Sequence, residues 1–97
     1  MSYKTLYKIE YQGTDSARIR LSSATHEIFK AHFPEQAIFP GFMHFEVISD
    51  VFNVEIASIK RAKFMKIIQP EQVLRYEKKN NKFKVFCEEQ LVASFSI

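Results

Sequence analysis

The stretch that decides the fold is residues 39–53, Phe-Pro-Gly-Phe-Met-His-Phe-Glu-Val-Ile-Ser-Asp-Val-Phe-Asn. From Gly41 to about Asn53, apolar side chains occupy nearly every side of a 3.6-residue helical period, which is typical of a helix that is mostly buried. Pro40 and Gly41 mark the point where this helix opens, and Asn53 is suited to cap its C-terminal end. We therefore expect one buried helix near the middle of the chain.

The segments around this helix have the period-two alternation of β-strands. Residues 7–11 and 17–21 alternate on either side of a turn-rich stretch, which predicts a β-hairpin. Residues 22–40 are irregular and carry two prolines, so we expect a long packed loop. After the helix, we expect strands at roughly residues 55–67, 73–79, 82–87 and 91–97. Runs of strands with one buried helix indicate an α+β fold, a curved antiparallel β-sheet wrapped around one central helix.

Length and composition restrict the class of protein. Ninety-seven residues make a single domain over residues 1–97, and 46% apolar with 26% charged residues is a globular mixture. The longest uncharged stretch, residues 36–45, is about half of what a bilayer span needs, and the N-terminus lacks the apolar core of a secretory signal. The lone Cys87 cannot form an internal disulfide and is interpreted as an apolar strand residue. We expect a cytoplasmic protein without a membrane span.

Residues 26–46 combine the groups that general acid–base catalysis requires. Backbone N–H groups at the Pro40-Gly41 helix start are suited to hold a carbonyl oxygen that gains negative charge. Glu46 follows among apolar neighbours, where desolvation would raise its pKa and make it a proton donor. His32 could accept a proton. Base, acid and oxyanion donors together favour proton abstraction beside a carbonyl, followed by loss of a leaving group.

The other two histidines, His26 and His44, are interpreted as structural or pocket-lining residues. The histidines have no convincing metal-ligand spacing and no accompanying cysteine pattern, so we expect no metal site.

The string His32-Phe33-Pro34, followed by Phe39-Pro40-Gly41 and Glu46, closely resembles the 3-hydroxyacyl-acyl carrier protein dehydratases of fatty acid synthesis. These are the FabZ and FabA type of the hot-dog fold superfamily, with an H-F-P loop, a P-G at the start of the central helix and a Glu five residues after the Gly. Residues 62–64 and 68–72 resemble a further strand and turn of that family. Asp50 departs from the family, which commonly has Gln there, and at i+4 from Glu46 it could share a proton with that residue or disturb its titration.

The resemblance implies a hot-dog fold and a dehydratase that forms a homodimer or a dimer-based higher oligomer. His32 and Glu46 would be the catalytic residues, supplied by opposite protomers, and the Gly41 N–H would polarise the thioester carbonyl. Phe33, Pro40 and Asp50 would complete the substrate-binding region. The substrate would be a 3-hydroxyacyl thioester on acyl carrier protein or coenzyme A, dehydrated to the trans-2-enoyl product in fatty acid or related lipid biosynthesis. No metal or diffusible cofactor is implied.

Two other functions compete with this interpretation. An acyl thioesterase of the same fold would use a carboxylate to activate water, whereas a non-catalytic module would only bind acyl groups or their carrier protein. Residues 60–84 carry nine Lys or Arg against two Glu, and an acidic carrier protein is a suitable partner for such a surface. The candidate contacts are Lys60, Arg61, Lys63 and Lys66. Nucleic acid is not an expected partner, because no groove-reading motif accompanies the basic residues.

Overall fold

The computed structural model describes residues 5–31 and 36–97, which form one sheet and two helices. In chain order the elements are β1 (Tyr7–Gln12), β2 (Ser16–Leu21), α1 (Glu27–Ala31), α2 (Met43–Phe52), β3 (Lys60–Phe64), β4 (Val73–Lys79), β5 (Lys82–Cys87) and β6 (Gln90–Ser96). The six strands lie in the order β1-β2-β4-β5-β6-β3, and every neighbouring pair is antiparallel. Strand β3, which follows the long helix, therefore lies at one edge of the sheet, and β1 lies at the other.

Tight turns fix the register of the hairpins. Asn80 has a φ of 56°, and Glu88 and Glu89 have φ values of 52° and 66°, so each turn uses left-handed backbone. The β4–β5 pairing is regular from Arg75↔Phe86 to Lys79↔Lys82. The strands predicted at 73–79 and 82–87 are confirmed.

The core lies between the sheet and one side of α2. Alternate strand residues such as Ile19, Leu74 and Val85 are fully buried on the face toward the helix. From α2 the buried residues are Met43, His44, Val47, Ile48 and Val51. These recur at helical spacing, which leaves the opposite stripe of the helix exposed. The prediction of a helix within an antiparallel sheet is confirmed, although the helix keeps one exposed side.

Three boundaries differ from the sequence-based expectation. The helix begins at Met43 rather than Gly41, because the carbonyls of Pro40, Gly41 and Phe42 accept N–H groups only three residues ahead and form a tight turn first. The expected loop over residues 22–40 contains α1, whose Ile28 and Phe29 are buried. The strand expected from residue 55 begins at Lys60, since the apolar residues before it pack against the core outside the sheet.

Candidate active site

The turn before α2 brings the Gly41 backbone close to the edge strand β3. A Cβ placed on Gly41 would lie only 3.1 Å from Cε1 of Phe64, so the close approach of that ring favours glycine here. Within residues 5–31 and 36–97, the Gly41 amide donates to no backbone carbonyl, whereas its carbonyl accepts from the His44 N–H at 3.1 Å. Among these residues the Gly41 N–H thus has no backbone partner, and its role as an oxyanion donor stays a prediction.

Glu46 lies in the first turn of α2, on the exposed stripe of the helix. The sequence-based expectation that Phe42, Phe45 and Val47 desolvate this carboxyl group is wrong for the single chain. Val47 turns into the core, Phe42 is 47% exposed, and Phe45 packs edge-on against Phe95 at 5.0 Å. Any desolvation of Glu46 therefore has to come from groups other than its helical neighbours.

Asp50 lies one turn beyond Glu46, and its hydrogen-bond partner comes from β1 rather than from the helix. The Tyr7 hydroxyl donates to Asp50 Oδ2 at 2.6 Å. Burial first, and then this hydrogen bond and the negative charges of Asp50 and Glu46, raise the pKa of Tyr7. Tyr7 thus remains protonated and holds Asp50 as an acceptor. Nothing in the sequence pattern pointed to Tyr7, because its pairing depends on how β1 lies against α2.

The predicted site residues are only partly placed by the structure. Pro40 and Gly41 precede α2, with Pro40 buried, whereas Glu46 lies in the first turn of the helix and Asp50 in its C-terminal half. His32 and Phe33 lie outside the described residues, between the end of α1 at Ala31 and the continuation of the chain at Gln36.

The other two histidines have different surroundings. His26 Nδ1 accepts the Ile28 N–H at 3.0 Å, and its Nε2 lies 2.9 Å from Thr5 Oγ1, so this ring holds the start of α1 in place. His44 is 1% exposed, and its Nδ1 lies 2.6 Å from the Tyr76 hydroxyl. Burial lowers the pKa of His44 to about 3, which keeps its ring neutral at physiological pH.

A cleft of about 290 Å³ opens beside the N-terminal turn of α2. Gly41 and His44 line one side, and the segment from Phe64 to Ile68 lines the other. The wall is largely apolar, with Phe39 and Ile38 completing it. Such a cleft, with few polar groups and a backbone turn at its rim, is suited to part of an acyl group.

The edge formed by β3 and its flanking residues carries most of the exposed large apolar side chains of the described chain. Ile59, Phe64, Met65 and Ile67 are 42%, 51%, 45% and 60% exposed. The basic residues Lys60, Arg61, Lys63 and Lys66 are exposed in the same segment. Arg61 has a φ of 53°, and the pairing of β3 with β6 shifts register between Lys60 and Lys63, so these basic side chains do not follow a strict strand alternation.

Comparisons with known proteins agree with this architecture. No curated protein matches the chain. In three dimensions the chain is similar to a chain of the dehydratase heterocomplex ApeI:P from Xenorhabdus doucetiae, with a TM-score of 0.67 and 21% sequence identity over 93% of this chain and 91% of that chain. This likeness establishes the hot-dog fold. The sequence profile of the ApeI-like family, described as ApeI dehydratase, matches residues 10–96, so the chain belongs to the ApeI-like dehydratase family.

Proposed function

We propose that the protein dehydrates 3-hydroxyacyl thioesters to trans-2-enoyl thioesters. The observation that carries the proposal is the exposed Glu46 in the first turn of α2, five residues after a Gly41 amide that has no backbone partner among the described residues. Membership of a dehydratase family supports the same reaction class. The Gly41 N–H and the positive end of the helix would stabilise charge on the thioester carbonyl as the proton beside it leaves.

In this mechanism, two side chains divide the work of acid and base. His32 takes the proton from the carbon next to the carbonyl, and Glu46 donates a proton to the departing 3-hydroxyl group, which leaves as water. Glu46 must be protonated before the reaction, which requires a site drier than the exposed surface of one chain. A second protomer covering the face of α2 would provide that drier site.

We propose a homodimer joined through the β3 edges. This edge combines a strand at the end of the sheet with exposed apolar side chains at Phe64, Met65 and Ile67. Exposed strand edges and apolar patches of this kind favour pairing with a second chain. Pairing there would also cover the cleft beside Gly41, which Phe64 to Ile68 line.

We propose acyl carrier protein as the carrier of the acyl group, in fatty acid or related lipid biosynthesis. Lys66 lines the cleft, and the exposed Lys60 and Lys63 lie on β3, the strand that leads into it, where they would attract an acidic protein. Replacing these three residues with Glu is expected to raise the KM for a carrier-bound substrate much more than for a short pantetheine thioester. The KM for the carrier should also rise with salt. Equal effects on both substrates would remove these lysines from the proposal.

The reaction itself is tested with a short 3-hydroxyacyl pantetheine thioester. Absorbance of the conjugated enoyl thioester should appear without release of free thiol. Thiol release instead would indicate a thioesterase, and binding of the thioester without either product would indicate a non-catalytic acyl-binding module. The control is a Ser22→Ala variant, which removes a buried hydroxyl outside the cleft and should leave product formation unchanged.

A further inference from the structure

The cleft beside Gly41 contains one buried polar side chain that the proposed mechanism does not use. His44 lies in the first turns of α2 and lines this cleft. Its ring contacts Phe39 edge-on at 5.2 Å and stacks near Phe64 at 6.1 Å between ring centroids. A polar ring placed among aromatic side chains costs free energy unless both of its nitrogens find partners. Tyr76 is the partner of one nitrogen of His44, and the second nitrogen has no hydrogen-bond partner among the described residues.

The partner on Nδ1 determines which nitrogen of His44 carries the proton. Tyr76 is fully buried, and its hydroxyl makes its hydrogen bond within the described chain to His44 Nδ1, at 2.6 Å. If Nδ1 were the donor, the hydroxyl proton of Tyr76 would be left in the core without an acceptor, which is costly. Tyr76 therefore donates to Nδ1. The ring is neutral, so its one proton is on Nε2.

The remaining ring nitrogen, Nε2, belongs to a side chain that lines the cleft. Nε2 makes no hydrogen bond with any residue in the described ranges. Ser22 Oγ is the one fully buried side-chain polar atom in those ranges that lacks a partner, so Nε2 is not fully buried. Nε2 consequently keeps access to space outside the core, and the cleft is the space that His44 lines. The site thus offers a fixed, uncharged N–H donor in a largely apolar cleft, on the same side as the Gly41 backbone.

We propose that His44 is a substrate-binding residue whose Nε2–H donates a hydrogen bond to the thioester carbonyl oxygen of an acyl group seated beside Gly41. The inference rests on the proposed function, in which an acyl thioester occupies this cleft. The carbonyl oxygen is the acceptor that the hydroxyacyl substrate and the enoyl product share, so one fixed donor serves both. Tyr76 is a positioning residue, because it acts on the ligand only through the imidazole.

The test compares two ligands that differ in the carbonyl group alone. Butanoyl pantetheine thioester and S-butyl pantetheine thioether are titrated into the intact protein by calorimetry, and the ratio of their Kd values measures the preference for the carbonyl. His44→Leu should reduce that preference about 10-fold, with little change for the thioether. His44→Gln, which keeps a side-chain N–H donor, should stay within about threefold of the unmodified protein. Tyr76→Phe should reduce the preference for the carbonyl by an amount between those of the two His44 variants. Without the Tyr76 hydroxyl, either nitrogen of His44 can carry the proton.

Several results would overturn the inference. If His44→Leu weakens both ligands equally, or if the unmodified protein shows no preference for the carbonyl, His44 only supports the core. Should His44→Leu fail to fold, the comparison of His44→Gln with Tyr76→Phe decides, and an unchanged preference in Tyr76→Phe argues against the fixed donor. Binding is measured without turnover. A protein that lacks dehydration but keeps a His44-dependent preference would therefore refute the proposed function and leave this inference standing.

Discussion

At the scale of single residues, the proposed chemistry depends on one base and one acid. His32→Ala or Glu46→Gln is expected to lower turnover at least about 100-fold, because proton abstraction and water loss each need their own group. Steady-state kinetics on the pantetheine substrate measures this, and circular dichroism checks that the fold persists. Ser49→Ala, on the same exposed stripe of α2, is the matched control. Turnover near that of the unmodified protein in either variant would contradict the assigned roles.

His44 should also make stability depend on pH. Its pKa is lowered by burial from 6.5 to about 3 in the folded protein. Between these values the unfolded chain binds a proton that the folded chain does not, so the free energy of unfolding falls as pH falls through this window. From pH 7 to 4.5, His44 should account for a loss of about 2–3 kcal/mol.

Urea denaturation of the unmodified protein and of His44→Gln at both pH values measures this contribution. Carboxyl groups such as Glu10, whose pKa is lowered mainly by its hydrogen bond with Arg20, contribute equally to both proteins and cancel in the comparison. We expect the variant to lose less stability on acidification. An identical loss in the two proteins would show that His44 is not buried as a neutral ring.

At the scale of elements, the end of α2 depends on the backbone of Asn53. This C-cap residue has φ 52° and ψ 47°, in the left-handed region that non-glycine residues other than Asn and Asp rarely adopt. Asn53→Ala should therefore reduce the free energy of unfolding by about 1 kcal/mol, whereas Asn53→Gly should leave it equal or higher. Thermal unfolding of both variants gives the comparison. A loss in the glycine variant as large as in the alanine variant would point to a side-chain contact instead.

Local patterns predicted these elements where one physical cause decided them. Asn53 as a cap and the alternation of β4 and β5 each depend on a few neighbouring residues. The pattern failed where tertiary packing decided. Residues 54–59 have strand-like composition, yet Val54 and Ile56 pack against the core before β3 begins. Burial of Ile28 likewise turned part of an expected loop into α1.

The sequence motif predicted which residues form the candidate site, but it did not predict how exposed they are or what they contact. A turn at Gly41 followed from Pro40 and the apolar run after it, and the structure places Gly41 in the tight turn just before α2. The exposure of Glu46 and the Tyr7–Asp50 pair did not follow, because both depend on which side of α2 faces the sheet. The prediction is confirmed at the level of a dehydratase family with the hot-dog fold, and the family that matches is ApeI-like rather than FabZ or FabA.

At the scale of the whole molecule, no helix among the described residues is long and apolar enough to cross a membrane. Three surface features that a single chain leaves uncovered lie close together. The exposed apolar residues around β3, the cleft they line and the exposed Glu46 are all close to the start of α2 or the adjacent sheet edge. A second chain on this edge would bury the apolar surface and dry the carboxyl group in one step.

Sedimentation at micromolar concentration should accordingly give a mass near twice 11.4 kDa, or a multiple of that dimer. Ile67→Glu places a charge among the exposed apolar residues of the β3 edge and should yield monomers with little dehydration activity. Ile9→Glu is the matched control, because Ile9 is exposed on β1 at the opposite edge of the sheet. Dimers should persist in that variant. A stable monomer in the unmodified protein, or loss of the dimer only in Ile9→Glu, would contradict the proposed β3 interface. It would also contradict the proposal that a second chain desolvates Glu46.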